Sequence, residues 1–278
     1  MPQAISLSFG IFLATSALAV LSIALQPWWR GRWRRMVARQ PFPPAWRRIL
    51  ARQVPLVRQL PVDLQLQLKQ RMQVFIAEKP FIGCNGLVVT DAMRVVVAAQ
   101  ACLLLMGRAE AGFDALRQVL LYPGAFVVDR VQHAPGGVQH DARQVLAGES
   151  WSQGQVVLSW DDVLAGAADP QDGRNVVVHE FAHQLDQADG TSNGAPPLPR
   201  GMDARRWARV WQDEYDRLHR QLASGEAQLL DPYAATNPAE VVAVASESFF
   251  EQGPRLAAER PALYAELKAF YGVDPTAW

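Results

Sequence analysis

The stretch Val176-Val-Val-His179-Glu180-Phe-Ala-His183-Gln-Leu-Asp186 decides how the rest of this 278-residue chain is read. It holds His-Glu-x-x-His. On a helix, residues four apart project from one face of consecutive turns, so His179 and His183 can hold one metal ion with two ring nitrogens. Glu180 stands a residue further round, where its carboxylate reaches a metal-held water rather than the metal. The three leading valines, with Phe181, Ala182 and Leu185, allow that helix to be buried.

Two histidines need a third ligand. The extended motif would place Gly at 186 and His at 189, and the chain has Asp186 and Asp189 there. Without the glycine the helix carries Asp189 past the site. His133, His140 and His219 lack paired spacing and read as surface residues. There remains a glutamate from a later helix. Asn237-Pro-Ala-Glu240 opens one, and Glu247 shares its face seven residues on. Glu240 also suits a capping box, and spacing alone leaves ligand and supporting acceptor open between the two. Asp186 lies on the histidine face, placed to accept an imidazole N–H.

Around this segment the pattern is mostly helical. Asp63 caps an apolar stripe through Leu64, Leu68, Met72 and Phe75, and Met93 to Met106 is apolar nearly all round. Val119 to Tyr122, Phe126 to Val128 and Val156 to Trp160 read as strands, separated by turns such as Pro135-Gly136-Gly137. The last of them offers an edge for an extended peptide. Helices resume after Gly173. The expected fold is α+β, mainly helical with a small sheet.

The front of the chain differs. Residues 1–29 carry no charge, and Ala4 to Leu25 is a 22-residue uncharged run. Trp28, Trp29 and Trp33 follow, with nine arginines and no acid over residues 30–58. This predicts a transmembrane anchor at 1–28, an arginine-rich neck at 29–60 and a catalytic domain at 61–278. The basic flank would keep the domain on the cytoplasmic side of the inner membrane, where the neck meets anionic lipid. Beyond the neck, eighteen basic residues face 27 acidic ones, which argues against nucleic-acid binding. Two cysteines, Cys84 and Cys102, exclude a disulfide scaffold.

Several ordered motifs carry a resemblance. His179 to Asp186 with Gly190, Asp231-Pro-Tyr233-Ala-Ala, Pro238-Ala-Glu240, Ser246-Glu-Ser-Phe-Phe250, Leu121 to Val128, Ser150-Trp-Ser-Gln-Gly154 and Phe270-Tyr-Gly-Val-Asp-Pro275 resemble the Mlc titration factor A, or DgsA anti-repressor, family. The likeness covers residues 61–275. It implies a zincin-like, zinc-dependent peptidase of the gluzincin type. His179, His183 and Glu240 would be the Zn2+ ligands, Glu180 the catalytic acid/base, and Tyr233 a hydroxyl donor at the cleft. The substrate would be a peptide or protein. The resemblance also implies an alternative, capture of a transcriptional repressor with peptidase activity subordinate. The familiar member lacks the N-terminal segment, which leaves the partner open.

Overall fold

A computed structural model describes the backbone of residues 2–108, 112–133, 139–146, 148–151 and 154–278, and the side chains of these residues other than 2–11, 14, 17, 19, 126–146 and 149–151. The chain divides into two units, Met1–Pro41 and Phe42–Trp278.

The first unit is one helix, α1 (Pro2–Ala38), which runs through Pro27 and on through Arg30, Arg32, Arg34 and Arg35. Among the described residues no helix is long and apolar enough to cross a membrane. The expected transmembrane anchor, and with it the inner-membrane placement of a cytoplasmic catalytic domain, is therefore corrected. The helix does not stop at Trp28, where the bilayer boundary was expected, but continues through Arg30, Arg32, Arg34 and Arg35, so the uncharged run is one part of a longer element with a basic end.

The second unit begins inside the expected neck. Helices α2 (Pro44–Gln53) and α3 (Leu56–Gln59) turn their arginines outward and bury Leu50, Val54, Leu56, Val57 and Leu60 in the core. Next come α4 (Val62–Glu78), β1 (Phe81–Gly83) and α5 (Asp91–Leu103). Thr90 opens α5, its hydroxyl accepting from Met93 N–H at 3.3 Å. Every α5 residue from Val95 to Leu103 is buried, which accounts for the helix being apolar all round.

Strands β2 (Gln118–Tyr122), β5 (Gly148–Trp151) and β6 (Gln155–Ser159) join β1 in one sheet of order β1-β2-β6-β5. The first three run parallel, with α5 as the crossover from β1 to β2, and β5 runs antiparallel to β6. The sheet core is thus a parallel crossover unit rather than a succession of turn-linked strands. Strand β6 is paired on both sides, and Trp160 leaves it to start helix α6 (Trp160–Ala168), capped by Ser159. The edge expected at Val156–Trp160 belongs instead to β5. A separate antiparallel hairpin pairs β3 (Phe126–His133) with β4 (Gln139–Leu146). The Pro135-Gly136-Gly137 turn and the side chains of His133 and His140 lie outside the described residues.

The remaining helices are α7 (Val176–Asp186), α8 (Ala204–Ser224), α9 (Pro238–Glu251), α10 (Gly253–Glu259) and α11 (Pro261–Tyr271). Phe181 of α7 meets Phe75 and Phe113 at ring separations of 5.6 and 4.7 Å, which fixes α7 against the α4 layer. Tyr271 stacks on Phe249 of α9 and bonds Ser246 Oγ at 2.7 Å. Beyond it, Gly107 and Gly272 pass backbone to backbone. A Cβ on Gly107 would lie 2.2 Å from the Gly272 carbonyl oxygen. Gly272 itself is left-handed, closing α11.

Candidate metal centre

Helix α7 starts at Asn175, whose side-chain oxygen accepts from Val178 N–H at 3.0 Å. That start sets the phase in which Val177, Val178, Phe181 and Leu185 face the core and His179 and His183 face α9. Helix α9 starts at Asn237 with Pro238 in its first position, and Asn237 Oδ1 accepts from Ala239 and Glu240 N–H. Its Ala239, Ala243 and Ala245 are buried, small enough for close packing against α7.

The two histidine Nε2 atoms stand 3.2 Å apart. Glu240 Oε2 lies 3.0 Å from His179 Nε2 and 3.3 Å from His183 Nε2. Three donors about 2.0–2.1 Å from one tetrahedral ion lie about 3.3 Å from one another. The set, two imidazole nitrogens and one carboxylate oxygen, therefore fits a metal with a fourth position left open. Among the described residues, His179, His183 and Glu240 form the group able to hold an ion.

Glu247, two turns along α9 from Glu240, does something different. Its Oε1 lies 2.8 Å from His179 Nδ1, and its Oε2 accepts from Asn175 N–H at 2.5 Å. A carboxylate on Nδ1 keeps the proton there and leaves Nε2 free to ligate. Glu240 forms no capping box and turns to the histidines instead.

The electrostatics follow burial. Burial works against charge on His179, yet its bonds to Glu240 and Glu247 carry its pKa well above the ordinary value. Burial also opposes ionisation of Glu240, but His179 and His183 hold it down at about 2. Histidine and carboxylate thus favour each other's charged forms. Glu180 is the exception: burial pushes its carboxyl up to about 7, and its Oε2 is buried with no hydrogen-bond partner.

Tyr233 sits in a short 3-10 turn, Pro232–Thr236, opened by Asp231, which accepts from Tyr233 N–H at 2.9 Å. Arg174 holds Asp231 from the other side at 2.8 Å. The tyrosine ring lies 6.1 Å from the His179 ring and is 45% exposed, so it stands at the solvent edge of the site.

Asp186 does not join the histidines by hydrogen bond. It is buried, and its Oδ2 accepts from Gly194 N–H at 2.9 Å and Ser192 Oγ at 3.4 Å, tying the loop after α7 back to the helix. Asp189 is exposed and bonds Thr191. His219 is an exposed residue of α8 against Tyr215.

Sequence reasoning missed Asn175, Glu251 and Gly148. Asn175 Nδ2 donates to Glu251 Oε1 at 2.8 Å, extending the Glu247 network. An Asn directly before the three valines was a readable helix-start signal. Gly148 carried no signal, because its part depends on a neighbour 32 residues away.

Residues 26–272 match the family model described as glucose-regulated metallo-peptidase M90. The chain is 40% identical over 250 residues to an uncharacterized protein of Synechocystis sp., covering 90% of this chain and 91% of that one. It is 34% identical over 236 residues to Mlc titration factor A of Yersinia pestis and of Yersinia pseudotuberculosis, covering 81% of this chain and 83% of each relative.

Proposed function

The chain belongs to the glucose-regulated metallo-peptidase M90 family, and from that premise we propose that it is a zinc-dependent peptidase of the gluzincin type. The observation that carries the reading is the convergence of His179 Nε2, His183 Nε2 and Glu240 Oε2 beside a buried carboxylate, Glu180, with one oxygen unpartnered.

His179, His183 and Glu240 would hold the ion. Zinc at such a site supplies Lewis acidity, polarising a peptide carbonyl and acidifying water. Glu180 takes a proton from the attacking water and returns it to the leaving amine. A carboxyl with a pKa of about 7 suits both directions of transfer. Glu247 orients His179 and fixes its tautomer. Tyr233, exposed at the rim beside His179, donates its hydroxyl to the oxyanion as the carbonyl carbon becomes tetrahedral. All these residues fall within 61–278, which we assign as the catalytic part of the chain.

A second reading draws on the name of the Yersinia relatives, Mlc titration factor A. By that likeness this chain captures a transcriptional repressor, with hydrolysis subordinate.

One pair of measurements separates the readings. Metal content and peptide hydrolysis are followed for the full chain and for Glu180→Gln. The peptidase reading expects one zinc per chain in both proteins and hydrolysis only in the parent. A zinc-loaded parent that cleaves no peptide favours capture.

A further inference from the structure

Gly148 is the first residue of the sheet's edge strand β5, paired with Leu158 of β6. Strand β5 lies against α7, and at Gly148 the two elements nearly touch. A Cβ built on this glycine would stand 2.7 Å from Glu180 Oε1 and 2.8 Å from Glu180 Cγ. It would also stand 2.7 Å from Val176 Cγ2, one turn earlier on the helix. Real Cβ atoms do not approach carbon or oxygen so closely, so any side chain at 148 requires something to move.

Gly148 pairs with Leu158 as a member of the sheet ladder. What the missing side chain supplies is room, and the group occupying that room is the Glu180 carboxylate. Glu180 is 5% exposed and packed on α7 between the strand and the histidines, whose charges it feels. A buried side chain with a wall on one side has few rotamers left, and removing the gap would turn the carboxylate away from its place.

We propose that Gly148 is a positioning residue for the reaction: its lack of a side chain makes the slot that holds the Glu180 carboxylate beside the metal ligands. The proposal rests on the peptidase reading above, in which Glu180 moves the proton. It assigns a role to a strand residue that contributes no donor, acceptor or charge of its own.

The test uses the full chain and four variants: Gly148→Ala, Val176→Ala, and Gly148→Ala combined with either Val176→Ala or Glu180→Ala. Zinc content, kcat, KM and melting temperature are measured for each. Gly148→Ala should keep one zinc per chain and a KM within about twofold while kcat falls about 100-fold, the lower range for losing a general base. It should also melt several degrees lower, an overpacking cost. Adding Val176→Ala should recover melting temperature without recovering kcat, since it frees the helix wall but not the carboxylate. In the Glu180→Ala background, Gly148→Ala should cost less melting temperature than it does in the parent. A Gly148→Ala protein with unchanged kcat, recovery of kcat by Val176→Ala, or an equal melting cost with and without Glu180 would each overturn the proposal. A zinc-loaded parent without hydrolysis would instead sink the peptidase reading, and the melting cycle would still decide whether glycine and carboxylate share the slot.

Discussion

Glu247 Oε1 lies 2.8 Å from His179 Nδ1, on the opposite side of the imidazole from Glu240 Oε2, which is 3.0 Å from Nε2. One ring is thus held between two acids of the same helix, seven residues apart. The two acids are not equivalent. Only Glu240 faces both histidines, while Glu247 spends its second oxygen on the backbone of Asn175.

The first prediction follows from that asymmetry. Glu240→Ala should abolish stoichiometric zinc binding, whereas Glu247→Ala should retain the site and weaken affinity by about 10–100-fold. Competition against a chelator of known affinity measures both. A Glu247→Ala protein devoid of metal beside a metal-replete Glu240→Ala protein would reverse the assignment.

Tyr233→Phe should lower kcat by about 100-fold, the typical cost of one oxyanion donor, with KM and zinc content nearly unchanged. Steady-state kinetics on one peptide is sufficient. An unaltered kcat would return Tyr233 to a packing role beside His179.

Phe181→Ala tests the platform rather than the chemistry. The ring is fully buried between Phe75 and Phe113. Its loss should cost about 3–5 kcal/mol of stability, read as a lower urea midpoint with the same slope. A cost below 1 kcal/mol would mean that α7 is held mainly by its other contacts.

Glu251 gives a pH prediction. Burial pushes its carboxyl up to about 8, against an ordinary 4.5. An acid raised by folding holds its proton more tightly when folded. Its contribution is therefore fully present below pH 4.5 and is lost as pH rises through 8. Glu251→Gln should flatten this part of the profile, so the stability of the parent relative to the variant should fall between pH 5 and pH 8. Urea midpoints across that range check the sign, and a difference that grows with pH would refute it.

What the sequence made legible was local. His179, Glu180 and His183 are set by helix periodicity within five residues, and the start of α9 by Asn237-Pro238. The family, read from ordered motifs, is borne out by the match over residues 26–272. The division of labour between Glu240 and Glu247 was not readable, because both share a face and the crossing with α7 decides which reaches Nε2. Asp186 was misplaced for a similar reason: its partners, Gly194 and Ser192, lie on a loop whose return path has no periodic signal. At the front, the tryptophans and arginines mark no helix end, because the helix runs through them to Ala38. In the neck the arginines masked Leu50, Val54 and Leu60, which fold into the core. The parallel sheet escaped because β1 is three residues long, too short to show a period.

The contact between Gly107 and Gly272 has a consequence for the order in which the molecule is made. The two glycines are 165 residues apart, and Tyr271, which stacks on Phe249 and bonds Ser246, comes later in the chain than α7 and α9. As the chain is synthesised from its amino end, the metal-binding residues are therefore made before the core behind α9 can close on them.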